Sequence, residues 1–242
     1  MDKVAVITGA SAGIGAATAL RMSQAGWTLV LVARRQDRLE ELGLKALLCT
    51  FDITNPSAPD QIWNRISEAL PGRKVDCLVN NAGLALGTAP VPDCSPEDWQ
   101  QMVETNILAL IKLTLKLTPH MNPGATVINL GSVAGRWPYR GGNVYGATKA
   151  FVKQFSENLR CDLQGTGIRV CNVEPGIVDT EFSIVRYKGD LDKAKAVYAE
   201  KLSLTADNVA QTIAWVAMLP ARVSIPRFEI VPVTQATRGF VF

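Results

Sequence analysis

Histidine is nearly missing from the 242 residues: there is one, His120, beside Pro119 at the end of a helical stretch. Chemistry that needs an imidazole base therefore has a single candidate. Cysteine occurs five times, at Cys49, Cys77, Cys94, Cys161 and Cys171, without a C-x-x-C pair. Neither a disulfide framework nor a zinc site is indicated, and buried thiols in a reducing compartment are expected. Blocks of one charge are absent too. The 25 basic and 22 acidic side chains leave a net charge of +3 spread along the chain. That excludes an electrostatic footprint for nucleic acid or a membrane surface and favours a small-molecule partner. No apolar run approaches the roughly 18 residues that a membrane span requires. The N-terminal "MDKVAVITGA" carries too short an apolar run for a signal peptide. A soluble, cytoplasmic protein is the expectation.

What is present is a chain 48% hydrophobic, enough for a sizeable core, with no Pro/Ser-rich linker to divide it. One catalytic domain over residues 1–242 is expected. Short β-branched runs alternate with helical periodicity: "KVAVIT", "IGAATALRMSQAG", "TLVLVA", "RQDRLEELG", "KALLCTFDI". This is the rhythm of a parallel sheet covered on both faces, an α/β doubly wound Rossmann fold. It continues through a helix near 57–70, the strand "VDCLVN", a long helix from Pro96 to about Thr118, the strand "ATVINLGS", a helix near 143–164, "IRVCNVEPG", "ADNVAQTIAWVAML" and a last strand at "RFEIVPV", giving seven strands. Ser95 is placed as N-cap of the long helix, with Pro96 at its first position and Glu97 and Asp98 at the positive end of its dipole.

The loop "TGASAGIG", residues 8–15, falls between the first strand and first helix. There Gly9, Gly13 and Gly15 permit a tight turn and close approach of a pyrophosphate to backbone N–H groups, with Ser11 and Ile14 beside them. The spacing G-x-x-x-G-x-G departs from G-x-G-x-x-G, so the strand-loop-helix context carries the assignment. The same letters spell "GASAG", which satisfies the G-x-S-x-G of a hydrolase elbow with Ser11 as nucleophile. That reading needs His120 as base and puts the elbow ahead of most of its sheet.

At the end of the second strand, where an NAD-binding fold usually offers an acid to the ribose, stand Ala33, Arg34 and Arg35. Guanidinium forks pair a 2′-phosphate, so NADP is the expected cofactor. Asp52 and Ile53, after the third strand, are placed for the adenine. "NNAG", residues 80–83, follows the fourth strand at the ligand-binding edge, with Asn80, Ala82 and Gly83 as contacts.

In "NVYGATKAF" Tyr145 and Lys149 lie four residues apart, on one helical face with Cβ atoms roughly 5–6 Å apart. A phenol of pKa about 10 needs a depression of about three pH units, or roughly 4 kcal/mol, to ionise near neutrality. A nearby cation supplies about one to three, so Lys149 is expected to need help from an oxidised nicotinamide. Ser132, thirteen residues before Tyr145 at a strand end, can aim its hydroxyl at the same substrate oxygen. Ser132 would polarise a carbonyl while Tyr145 donates a proton. Asn106, polar within "TNILALIKL", suggests a helix distortion that holds a water beside Lys149.

Together "TGASAGIG", "NNAG", Asn106, Ser132 and the Tyr145–Lys149 pair resemble the short-chain dehydrogenase/reductase family over nearly the whole chain. The resemblance implies the Rossmann fold, an Asn-Ser-Tyr-Lys catalytic set and homotetramers built through the helices holding Asn106 and Tyr145. It further implies that "EPGIVDT", with Pro175, Gly176, Val178 and Thr180, runs beside the nicotinamide. Three longer stretches, at 80–87, 137–160 and 173–190, resemble the NADP-dependent 3-hydroxy acid dehydrogenases, which act on serine, allo-threonine, 3-hydroxyisobutyrate and malonic semialdehyde. An anionic substrate wants a cation: Arg186 and Lys188 are the first candidates, Arg140 and Gln235 the weaker ones. The segment 180–205 is expected to close over the substrate, and the tail Phe240–Phe242 to dock at a subunit interface or on its own subunit. A reductase of neutral carbonyls and a non-catalytic NADP sensor are the competing functions.

Overall fold

Because parallel strands are buried on both faces, they read as unbroken apolar runs, and the chain has several. The structure, a computed structural model, describes residues 2–199 and 202–235. Its first half runs β1 (Val4–Thr8), α1 (Gly13–Gln24), β2 (Thr28–Ala33), α2 (Gln36–Glu40), β3 (Ala46–Thr50), α3 (Ala58–Ala69), β4 (Val75–Asn80), α4 (Pro96–Val103), α5 (Leu110–Leu117) and β5 (Met121–Leu130). The second half adds α6 (Asn143–Asp162), β6 (Arg169–Pro175), β7 (Val178–Asp179), α7 (Phe182–Arg186), α8 (Leu191–Ala196), β8 (Leu204–Thr205), α9 (Ala206–Met218) and β9 (Arg227–Ile230). Seven strands pair in the order β3-β2-β1-β4-β5-β6-β9, all parallel, while β7 and β8 form a separate two-stranded ribbon. The order reverses between β1 and β4, and a crevice opens there at the strands' carboxyl ends.

Alternation along each strand sorts the core into two layers. Ile7, Leu31, Val79 and Ile128 pack with Met22 of α1 and Ile213 of α9, whereas Val6, Val30, Leu78 and Val127 pack with Ile62 of α3 and Leu113 of α5. The second layer holds a polar row: Asn80, Asn129 and Asn172 occupy one register across β4, β5 and β6. The Asn80 amide donates to Asn129 Oδ1 (2.8 Å) and to Thr114 Oγ1 of α5 (2.9 Å), and that of Asn129 donates to Ser156 Oγ of α6 (2.9 Å).

The long helix from Pro96 starts as expected, with Ser95 Oγ accepting from the Asp98 N–H. It carries the distortion that Asn106 suggested, a π-helical stretch over Glu104–Ala109. The cysteines depart from the expectation: Cys49, Cys77 and Cys171 are buried, but Cys94 is half-buried and Cys161, near the end of α6, is exposed. Among the described residues no helix is long and apolar enough to cross a membrane.

Candidate active site

The glycine loop sits where β1 ends, and its shape depends on a missing side chain. A Cβ on Gly15 would fall onto the Gly9 carbonyl and the Asn81 amide, so α1 approaches the loop only because the position is bare. Gly9 takes φ +64°, which glycine alone adopts at no cost. The N-cap of α1, Ala12, offers no side-chain hydrogen bond, so the first turn of the helix, whose Gly13 and Ile14 line the crevice, has no side-chain cap. Asn81 braces the loop by donating from its side chain to Thr8 O (2.9 Å).

A cleft of about 620 Å³ runs from this loop past Ala33, Arg34 and Arg35 at the end of β2 to Asp52, Ile53 and Thr54 after β3. It joins a recess of about 270 Å³ lined by Gly13, Ile14, Asn81, Ser132, Tyr145, Lys149, Pro175, Gly176, Val178 and Thr180. Ala82 and Gly83 line both spaces. Arg34 leans on Asp52 at 3.7 Å; Arg35 reaches Glu181 Oε2 at 2.9 Å and Ser11 Oγ at 3.4 Å. Asn80 stands apart from the other candidates: it is buried in the polar row on the α5 side, and its neighbour Asn81 faces the recess instead. The cause is strand alternation, which puts Asn80 on the same face as Leu78.

Ser132, Tyr145 and Lys149 converge because a short turn, Val133–Gly135, packs directly on α6. A Cβ on Gly135 would overlap the Lys149 and Ala150 backbone, so a larger residue there would push Ser132 away from Tyr145. Lys149 is buried and donates from Nζ to Leu130 O at 2.7 Å. Burial pushes its pKa down to about 8. Its ammonium lies 5.9 Å from the Tyr145 ring centre. Burial and the neighbouring Tyr139 phenol push Tyr145 up, against the smaller opposing pull of Ser132 and Arg186. Burial therefore favours the neutral phenol.

Asn106, within the π-helical stretch, is tied by its side chain on both sides. Its Nδ2 donates to Leu84 O (2.8 Å) and Thr148 Oγ1 (3.1 Å), and its Oδ1 accepts from the Leu84 N–H (2.9 Å). These bonds fix the side chain. It clamps the segment after β4 to α6, and a Cβ on Gly83 would sit 3.1 Å from its Oδ1 and 3.5 Å from Lys149 Nζ.

The four substrate candidates separate. Arg186 lies over Tyr139 and Tyr145, its guanidinium 5.3 Å and 5.8 Å from their ring centres, donating to Tyr139 Oη (2.9 Å) and Gly87 O (3.3 Å). Lys188 turns away to Asp98 at the start of α4 (2.8 Å), with its backbone left-handed at φ +53°. Arg140 is exposed, and neither the cleft nor the recess includes it. Gln235 is buried and accepts the Ile177 N–H at 2.9 Å, so it supports the loop after β6. Three residues that sequence reasoning passed over also meet here: Glu181, Phe182 and Tyr139. Tyr139 carried a signal, an aromatic in "WPYRGG" just ahead of the tyrosine helix.

The hydrolase reading fails on topology. His120 precedes β5, at the amino edge of the sheet, and stacks on Trp63 with ring centres 3.7 Å apart; Ser11 follows β1 at the carboxyl edge.

A family model described as short chain dehydrogenase matches residues 3–189. The chain belongs to the short-chain dehydrogenase family. Within that family it is 44% identical to sulfoacetaldehyde reductase 2 of Chromohalobacter salexigens, covering 99% of this chain and 98% of the relative. It is 46% identical to an NADP-dependent 3-hydroxy acid dehydrogenase of Escherichia coli, over 98% and 97% of the two chains. A solved structure, the closed form of serine dehydrogenase complexed with NADP+, superposes with a TM-score of 0.91 at 45% identity over 96% of each chain.

Proposed function

We propose that the protein is an NADP(H)-dependent oxidoreductase that moves a hydride between the cofactor and the β-carbon of a small 3-hydroxy or 3-oxo acid. The observation that carries this is the junction of two spaces: a groove with bare glycines and paired arginines, and a recess that holds Ser132 and Tyr145, with the Arg186 guanidinium 5.8 Å from the Tyr145 ring centre. The groove fits the cofactor on its own chemistry. Its glycines leave room that a Cβ would fill, uncapped N–H groups suit a pyrophosphate, and Arg34 and Arg35 suit a 2′-phosphate. NADP(H) bound there supplies or takes up the hydride. The 3-hydroxy acid relatives and the NADP-bound neighbour support the same reading.

In reduction, the Ser132 hydroxyl donates to the substrate carbonyl oxygen and Tyr145 delivers the proton; in oxidation, Tyr145 receives it. Lys149 keeps a positive charge behind the phenol. Asn106 positions Leu84 and α6 through its three hydrogen bonds. Arg186 takes the substrate's anionic end, since its bonds to Tyr139 and Gly87 leave donors of the five-hydrogen fork for a carboxylate. The chain acts as one catalytic domain, with α7 and α8 closing over the substrate. It works in the cytoplasm as a homotetramer formed through the helices bearing Asn106 and Tyr145. The tail Phe240–Phe242, expected to dock at an interface or on its own subunit, lies outside the described residues. Following nicotinamide absorbance across serine, allo-threonine, 3-hydroxyisobutyrate, 3-hydroxypropionate, sulfoacetaldehyde and neutral secondary alcohols tests the function. Preference for the neutral alcohols would overturn it, and tight NADP+ binding without turnover would favour a sensor.

Arg186→Leu is expected to raise KM for hydroxy acids roughly ten- to hundredfold, the loss of a charged hydrogen-bonded pair, while leaving neutral alcohols little changed. Steady-state kinetics on both classes checks this, and equal effects would remove Arg186 from substrate binding.

Lys149 gives a stability prediction whose sign is fixed by its pKa. Lysine ordinarily titrates at 10.5 and burial lowers this one to about 8. Below pH 8 both the folded and unfolded forms are charged, so the folded form bears the whole cost, on the order of 3 kcal/mol. Between about pH 8 and 10.5 the folded form loses its proton first, and the cost fades as pH rises. Lys149→Met, which also leaves the Leu130 carbonyl without its donor, is expected to raise Tm of the cofactor-free protein by a few degrees at pH 7. Thermal melts across this range should show the gap closing in alkali.

A further inference from the structure

We propose that Glu181 sets the margin by which NADP is preferred over NAD, by competing with the 2′-phosphate for Arg35. The inference rests on the cofactor reading above. Arg35 stands just past β2 on one wall of the groove, and Glu181 just past β7 on the other. Their side chains meet at 2.9 Å. Both residues line the 620 Å³ cleft and the smaller recess alike, so the ion pair bridges the groove where the two spaces join. The two arginines are thus unequal. Arg34 is 66% exposed and only leans on Asp52 at 3.7 Å, whereas Arg35 already holds a carboxylate and touches Ser11.

The pair is about half exposed, at 44% and 43%, and ion pairs in such surroundings are weak. A phosphate dianion can therefore take the guanidinium from a single carboxylate. It does so against the charge of Glu181, which stays tethered to the groove wall through α7. NAD carries a hydroxyl in place of the phosphate and makes no claim on Arg35, so Glu181 opposes only one of the two cofactors. Glu181 is a specificity-determining residue through charge, and a neutral side chain of the same shape removes its effect.

Isothermal titration of the purified protein with NADP+ and separately with NAD+ tests this without turnover. Glu181→Gln is expected to tighten NADP+ by roughly fivefold and to leave NAD+ within about twofold. In an Arg35→Ala background the gain should shrink below about twofold, because the contested group is gone and only the screened charge of an exposed carboxylate is left to oppose the phosphate. Weaker NADP+ binding by Glu181→Gln would overturn the proposal and make Glu181 a support for Arg35; an equal change for both cofactors would overturn it as well. If the wild-type protein binds neither cofactor, the cofactor reading itself falls and takes this inference with it. Wild-type NADP+ binding that Glu181→Gln leaves unmoved would sink the inference alone.

Discussion

Tyr145→Phe is expected to lower kcat by about two to four orders of magnitude while changing the Kd of NADP+ little, because it removes one hydroxyl from the recess and nothing from the larger cleft. The phenol is partly buried among Leu84, Met102 and Phe182, and its ring lies 5.5 Å from that of Phe182. Phenylalanine fits that packing, so the loss should be chemical. Burial favours the neutral phenol. Neutral is the form that donates, so reduction in the wild type should run evenly across neutral pH. Oxidation needs the other form and should rise with pH. Rapid-mixing kinetics in both directions checks this, and a Tyr145→Phe protein that keeps more than a tenth of wild-type kcat would show that the proton comes from elsewhere.

Gly15→Ala is expected to weaken NADP+ binding roughly ten- to hundredfold, an overpacking cost expressed at the cradle. The added methyl would overlap the Gly9 carbonyl, part of the loop that shapes the groove, and the Asn81 amide that braces it from the end of β4. The loop must move outward, and it moves into the space a pyrophosphate needs. Gly26→Ala is the control. That glycine has φ +77° and nothing within 4 Å of an added Cβ, so the substitution strains the backbone yet leaves the groove alone. It should lower Tm without changing affinity. Titration and thermal melts of the two variants separate the effects, and equal affinities would deny the loop its part in binding.

The fold and most of the groove were legible because both depend on short-range patterns. Apolar runs alternating with helical periods marked the seven strands, and glycines between a strand and a helix marked the cradle. The π-helical stretch was readable from one polar residue, Asn106, in an apolar run. What the sequence hid was pairing between distant segments. Lys188 looked like a substrate ligand, but Asp98, ninety positions earlier, takes its charge. Gln235 looked available, but the Ile177 N–H fixes it. Glu181 gave no sign at all, since its partner is set by where α7 crosses the groove. The side-chain direction of Asn80 was itself legible: counting by two from Leu78 places it on the α5 face, whereas Asn81, past the strand end, turns toward the loop.

The row of asparagines across β4, β5 and β6 has a mechanical consequence. Apolar side chains tolerate small slides of a helix along a sheet, since dispersion attraction given up on one side is recovered on the other. Hydrogen bonds do not, because they weaken within a few tenths of an ångström and a few tens of degrees. Thr114 on α5 and Ser156 on α6 are each bonded to that row. The row therefore works as a pair of dowels: one indexes the helix continuous with the Asn106 turn, the other indexes the helix bearing Tyr145 and Lys149, and both take their zero from the same rung of the sheet.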